Sequence, residues 1–582
     1  MKETKDAVRP ADPYLWLEEI EGRRALDWVT RQNEATVGEL SRLPDYERFY
    51  RGCLEVFDSA ERIAHPAIRG DFIYNFWKDK DHQRGLWRRA PRAGYLKGDP
   101  AWETLVDCDA LSRQEGVNWD FHGAAGLFPS YDRFLVNLSR GGGDATVIRE
   151  YDTARRAFVD EGFSLPESKG DAAYLDRDTL LVARDFGPGT LTNSGYPRQV
   201  RLWRRGTAIA DAPLVLEGAV TDVSVSAHLY HTARRSYAVI TQGRTFYSHA
   251  YYGYERGALV RLAIPDDAYI ADFVQGQAII VLRSDWKIGG RTFRRGSVVS
   301  ADYAALLQGT PKLALVLRPD DRSSVDAVLA TKGTLLVAIL RDVKSVLLRC
   351  RFRGGRWAGA RVPTPPHGTV ELCTADPCSD DYFFYYEDFL TPSALYFARG
   401  AGRPALVRSM PSFFDGRGLK VWQYRARSKD GTRVPYFVVG PAAMKRDGRS
   451  PALLYAYGGF EVAQLPIYGA ALGRSWLERG GVYVLANIRG GGEFGPRWHQ
   501  AGLKEKRQNV YDDFFAVAQD LATRKITSAR HLGIKGGSNG GLLMGVALTQ
   551  RPELYRAVVC GAPLLDMRRF NKLLAGASWM AE

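Results

Sequence analysis

The chain has 582 residues, 45% of them hydrophobic and 25% charged, with a formal net charge of +14. This is a globular composition long enough for two or more domains, and no stretch reaches the ~18 consecutive apolar residues of a membrane span. The positive excess is mostly arginine, scattered in short clusters such as RGLWRRAPR (84–92) and RTFRRG (291–296), so it reads as a solvated basic surface that can steer acidic peptides, not as a nucleic-acid module.

Residues 1–70 form a predicted N-terminal helical segment. Leu15, Leu17, Ile20, Leu26, Trp28 and Val29 recur at mixed three- and four-residue spacing, with few β signals. From about 71 to 410 the period changes. Short runs such as DFIYNFW, DRFLVNLS, TLLVAR, SYAVIT, QAIIVLR, GTLLVAIL and YFFYYEDF are rich in β-branched and aromatic residues. Turn clusters such as SRGGGD, DFGPG and RPDDRS divide them. Many short strands over this length predict an all-β propeller of about seven blades, each of roughly 45–50 residues. From about 411 to 582 strands alternate with helices. PALLYAY, GVYVLANI, LGIKG and YRAVVCGAP read as strands, and NVYDDFFAVAQDLATR as a helix. That βαβ rhythm predicts a doubly wound α/β domain.

The stretch IKGGSNGGLLMG (534–545) sets Ser538 between Gly536 and Gly540. G-x-S-x-G is the pattern of a sharp strand-to-helix turn that lifts a serine hydroxyl clear of the backbone. A serine is a poor nucleophile until a base takes its proton. Alone the pattern is weak, because a glycine-rich turn matches it too. The glycines at 490–492 could suggest a phosphate loop, but no Lys-Ser or Lys-Thr follows at that spacing.

Several motifs together resemble the prolyl oligopeptidase family of serine peptidases. They are DPYLWLEE (12–19), LLYAYGGF (453–460), NIRGGGEFG (487–495), NVYDDF (509–514) and GGSNGG (536–541), in that family's order. The resemblance implies an α/β-hydrolase domain capped by a seven-bladed propeller, with the N-terminal helices packed on the hydrolase. It also implies roles. Ser538 would be the nucleophile. The Asn539 backbone N–H and the Tyr457 hydroxyl would be oxyanion donors. Phe460 and Trp579 would be aromatic walls of a pocket for proline, since a flat, rigid pyrrolidine ring stacks well between aromatic faces. Short peptides are the implied substrates and a monomer the expected form. Without the resemblance, Tyr457 and Phe460 read as strand-end or core aromatics.

In this fold the triad runs Ser, Asp, His along the chain. No histidine follows Ser538, and the only acids there are Glu553, Asp566 and Glu582. His531 opens the strand whose far end carries Ser538, roughly 20 Å away at ~3.3 Å per residue. His499 cannot be placed from sequence. Asp566 reads as a loop or capping aspartate. The expectation is therefore a hydrolase domain incomplete at its C-terminus, with the triad Asp and His not in this chain and the last strand left as an uncovered edge. Two alternatives follow: a peptide-binding protein without hydrolase activity, or an esterase or oligopeptidase B-like hydrolase on the same fold.

Six cysteines occur without a CxxC pair. Cys373 and Cys378 lie near His367, but no second ligand pair follows. Free buried thiols are expected, with no metal and no cofactor. The start MKETKDAVRPADPYLW lacks the apolar core of a secretory signal. The expected compartment is the cytoplasm, with neither membrane nor nucleic acid as a partner.

Overall fold

The computed structural model describes residues 12–582, so the first eleven residues of the predicted helical segment lie outside the described residues. The chain divides into two compact units, Met1–Ser59 and Ala60–Glu582. In the first, a 3-10 turn (Leu15–Glu18) precedes helices α1 (Arg23–Leu40) and α2 (Tyr46–Phe57). Trp28 of α1 meets Trp16 edge-on at 6.3 Å, and the Arg24 guanidinium lies 4.2 Å from the Trp16 ring centroid. This aromatic-cation contact ties the DPYLWLEE turn to the helix.

The second unit opens with seven consecutive antiparallel sheets between Ala67 and Ser409, the propeller predicted from the strand count. Each has four strands in an up-and-down order, and one holds a fifth. A separate hairpin, Trp286–Ile288 with Arg291–Phe293, is inserted in the fifth sheet. Inner strands are buried on both faces, which explains runs such as DYFFYYE (Asp381–Glu387) that carry no polar alternation. The ring closes where the first and last sheets meet. Ile68 N–H donates to Thr374 Oγ1 at 3.3 Å, and Ile63, Ile68 and Ile73 pack with Phe383, Tyr385 and Leu395.

The C-terminal sheet has six strands: β1 (Leu419–Arg427), β2 (Arg433–Pro441), β3 (Ala452–Tyr455), β4 (Val482–Ala486), β5 (Leu532–Gly537) and β6 (Ala557–Gly561). Their spatial order is β1-β2-β4-β3-β5-β6. The last four pair in parallel, as the βαβ rhythm predicts. The first two do not. β1 pairs antiparallel to β2, and β2 antiparallel to β4. Helix α3 (Gln508–Thr523) buries Val510, Phe514, Val517 and Leu521 against this sheet, and α4 (Asn539–Gln550) adds Leu543, Met544 and Ala547 to the same core. β6 is the edge strand of this sheet among the described residues, with Val559 53% exposed.

All six cysteines are free. The expectation that they are buried fails in part. Cys108 and Cys350 are buried, but Cys378 and Cys560 are exposed, because one sits in a turn and the other on the edge strand. No helix is long and apolar enough to cross a membrane among the described residues.

Phe383 is fully buried in the seam that closes the ring. Phe383→Ala is expected to cost about 3–5 kcal/mol, read as a fall in the unfolding midpoint by circular dichroism. A change under about 1 kcal/mol would contradict a seam held by side-chain packing.

Candidate active site

Ser538 stands at the junction of β5 and α4 with φ 55° and ψ −120°, a conformation that L residues rarely adopt. Its N–H donates to Gly561 O at 2.9 Å, and its carbonyl accepts from Gly541 N–H at 2.8 Å. The flanking glycines are required by contact. A Cβ on Gly536 would lie 2.3 Å from Gly540 O, and one on Gly540 would lie 2.9 Å from Ala456 O. The side chain of Ser538 is left exposed. This is the raised turn that the G-x-S-x-G spacing predicts.

Tyr457 lies two residues beyond the end of β3. Its carbonyl accepts from Asn539 Nδ2 at 2.7 Å, so the two residues expected to serve an oxyanion stand on adjoining segments beside Ser538. Asn539 is also held through Oδ1 by Arg507 Nη2. Four positions after Ala456, the chain turns through two residues of positive φ, Phe460 (54°) and Glu461 (58°). Phe460 and Trp579 do meet, with ring centroids 5.2 Å apart, but their planes cross at 70°. They make a corner and not the parallel slot that two stacking walls suggest. A third ring closes it: Phe246, from a propeller turn, lies 5.4 Å from Phe460. A cavity of about 300 Å³ adjoins this corner, lined by Phe246, Tyr247, His249, Asp267, Tyr269, Arg283, Phe460 and Glu461.

The glycine-rich segment 487–495 supports the pocket wall and shows none of the wiring of a phosphate loop. A Cβ on Gly490 would fall 2.4 Å from Gly458 O, so glycine there permits backbone contact. Gly490 O accepts from Glu461 N–H at 3.1 Å. Arg489 clamps the segment to α3, donating to both oxygens of Asp513 at 2.6 and 2.9 Å. Burial raises the Asp513 carboxyl, opposed by that pairing. The bond from Arg489 also holds the partly exposed Asp430 down to about 2. Glu493 is 1% exposed and accepts from Gln464 N–H at 2.9 Å. Two of the motifs, NIRGGGEFG and NVYDDF, thus meet through a buried ion pair.

No histidine is placed to serve Ser538. His531 precedes β5, at the end opposite Ser538, with Nδ1 3.1 Å from Ser528 Oγ. His499 is fully buried, with Nδ1 3.0 Å from Arg283 Nη2 and Nε2 2.9 Å from Glu582 Oε2. The other seven lie between residues 65 and 367; of these His249 lines the cavity beside Phe460, and none is hydrogen-bonded to Ser538 among the described residues. Asp566 is exposed and caps its own turn, accepting from Arg568 N–H at 3.1 Å. Sequence reasoning missed Phe246, Tyr247 and Arg283 of the propeller, and Arg507. It noted Glu582 only as an acid. Nothing in their local sequence marks them, because each acts through a contact with a distant segment.

A strand-turn-helix serine on an α/β-hydrolase sheet, beside a seven-bladed propeller, defines a class of hydrolase. Comparison with known proteins sets the family. The profile described as "Prolyl oligopeptidase, N-terminal beta-propeller domain" matches residues 2–400, and that of the "Prolyl oligopeptidase family" matches 471–581. The chain belongs to the prolyl oligopeptidase family. It is 43% identical over 592 aligned positions to an uncharacterized peptidase, y4nA, of Sinorhizobium fredii, covering 100% of this chain and 81% of that one. It is 25% identical to a prolyl endopeptidase of Elizabethkingia miricola, covering 98% and 78%. The solved structure of a post-proline cleaving enzyme from Rickettsia typhi superposes with a TM-score of 0.93 at 32% identity, covering 97% of this chain and 84% of that one.

Burial drives the Glu493 carboxyl up to about 7, against the bonds from Gln464 and Asn487. Its ordinary value is 4.5, so the folded state keeps a proton that the unfolded state releases. This contribution is full below pH 4.5 and is lost as the pH rises to about 7. Glu493→Gln is expected to gain about 3 kcal/mol on the wild type between pH 4 and pH 8, measured by urea unfolding at both. Parallel pH curves would contradict a proton held at Glu493.

Proposed function

We propose that this protein is a serine peptidase that cleaves short peptides after proline through an acyl-enzyme on Ser538. The observation that carries the proline reading is the aromatic corner of Phe460, Trp579 and Phe246, linked to the Ser538 turn through Arg507 and Asn539. Of its neighbouring carboxylates, Glu461 is bound by Arg283 and Glu582 by Arg507 and His499, while Asp267 accepts from Ser284 Oγ at 3.0 Å. A basic side chain entering there would meet the Arg283 and Arg507 guanidinium groups as well as Asp267, so the aromatic faces, and not charge, carry the proline reading. A flat apolar ring loses little on entering such a corner and gains aromatic contact.

In this reading Ser538 attacks the carbonyl carbon of the proline residue, and the amine of the following residue leaves. The negative charge on the carbonyl oxygen is taken up by the Asn539 N–H and the Tyr457 hydroxyl. A base must take the Ser538 proton, and among the described residues no histidine is hydrogen-bonded to that hydroxyl. The relatives described as prolyl endopeptidases and the post-proline cleaving enzyme support the same specificity. A cytoplasmic location belongs to the proposal, since Cys378 and Cys560 are exposed and unpaired, as suits a reducing compartment.

The test uses the intact protein purified from its source and a succinyl-Gly-Pro nitroanilide. Ser538→Ala is expected to lower kcat by about 10⁶. Tyr457→Phe is expected to lower it by about 10²–10³ with little change in KM. Replacing proline by arginine in the substrate is expected to abolish cleavage. Retained activity in Ser538→Ala, or faster cleavage after arginine, would overturn the proposal.

A further inference from the structure

Glu582 lies at a junction to which the peptidase reading assigns no catalytic role. Its side chain is only 6% exposed, yet its two oxygens accept from four donors. Oε1 takes the backbone N–H of Phe460 at 2.8 Å and Arg507 Nη1 at 3.0 Å. Oε2 takes His499 Nε2 at 2.9 Å and the Tyr247 hydroxyl. The donors come from four separate segments, and Tyr247 belongs to the propeller.

The proton positions follow from the partners. Arg283 Nη2 can only donate, so His499 Nδ1 accepts from it. The ring is then neutral with its hydrogen on Nε2, which faces Glu582. Burial lowers His499, which agrees with the neutral ring. Burial would raise Glu582, but its bonds outweigh this and hold it below the ordinary carboxylate value. Glu582 is thus a buried anion fully satisfied by donors, the condition under which such a group specifies geometry.

What it holds is also defined. The Phe460 N–H opens the positive-φ pair Phe460–Glu461 that aims the pocket wall. Arg507 reaches on to Asn539 Oδ1, and Asn539 Nδ2 to the Tyr457 carbonyl. From the propeller, Tyr247 bonds Glu582, and Arg283 bonds both Glu461 and His499.

We propose that Glu582 is a positioning residue for this site, whose carboxylate ties the propeller to the aromatic pocket wall and, through Arg507, to the oxyanion donors. The inference rests on the proline reading for the identity of the pocket's occupant. Its consequence is that the wall and the oxyanion donors take their working places together, and only while Tyr247 and Arg283 are seated on the hydrolase domain.

The test is a double-mutant cycle in the intact protein. The probe is N-acetyl-Ala-Pro as the free acid, with its dissociation constant measured by calorimetry. Glu582→Gln keeps the shape but removes the charge and one acceptor site. It is expected to weaken binding about tenfold, and Tyr247→Phe about threefold. The double variant is expected to be no weaker than about tenfold, because both changes break one linkage. The thermal midpoints are expected to stay within about 3 °C of the wild type. Effects that multiply to about thirtyfold, or unchanged binding in Glu582→Gln, would overturn the proposal. If Glu582→Gln fails to fold, Tyr247→Phe alone decides: a threefold loss supports the linkage and no loss refutes it. A wild type that binds N-acetyl-Ala-Ala as tightly as the proline peptide refutes the proline reading instead. The cycle measured on that peptide still judges Glu582.

Discussion

The site depends on backbone meeting backbone without intervening side chains. The segment just past β3, residues 456 to 458, is approached from two sides. Gly540 comes within contact of the Ala456 carbonyl, and Gly490 within contact of the Gly458 carbonyl. Gly536 and Gly540 close on each other beneath Ser538. A single Cβ at any of these places would push the segments apart. Ser538, the oxyanion candidates and the pocket wall therefore share one tightly packed floor, and glycine is there because nothing larger fits.

That floor carries strain, and the surroundings offset it. Ser538, Phe460 and Glu461 all sit at positive φ without being glycine, a conformation that costs of order 1–3 kcal/mol each. The β5 ladder and the Gly561 carbonyl fix Ser538. The Arg489–Asp513 pair, with Arg489 only 5% exposed, anchors the segment on which Glu461 rests. Such a pair adds little net stability, but losing one partner would strand a buried charge. Its value is in specifying one arrangement of the loops. The propeller enters the same scheme through Phe246, Tyr247 and Arg283, so it forms part of the pocket as well as standing over it.

Much of this was legible in the sequence, for physical reasons. Strands buried on both faces give apolar runs such as DYFFYYE, and their number predicted seven blades. Parallel strands between helices gave β3 to β6. The antiparallel pair β1 and β2 was missed, since LKVWQYRAR alternates with arginine and lysine and reads as an exposed segment. The G-x-S-x-G spacing located the Ser538 turn because its glycines answer a local steric need. His499, Arg507 and Glu582 have no such local signature. Their partners lie up to several hundred residues away, as in the bond between Tyr247 and Glu582. Phe460 and Trp579 were found as a pair through the resemblance, but their 70° crossing needed coordinates.

The central claim is that Ser538 is a nucleophile addressed by a proline-filled pocket. The most direct measurement is mass spectrometry of the intact protein after exposure to a diphenyl phosphonate analogue of an acyl-proline. The account predicts one phosphonyl adduct, on the tryptic peptide Gly536–Arg556, located at Ser538, and suppressed by an excess of a proline-ended peptide. An adduct on another residue, none at all, or labelling indifferent to the proline peptide would contradict it.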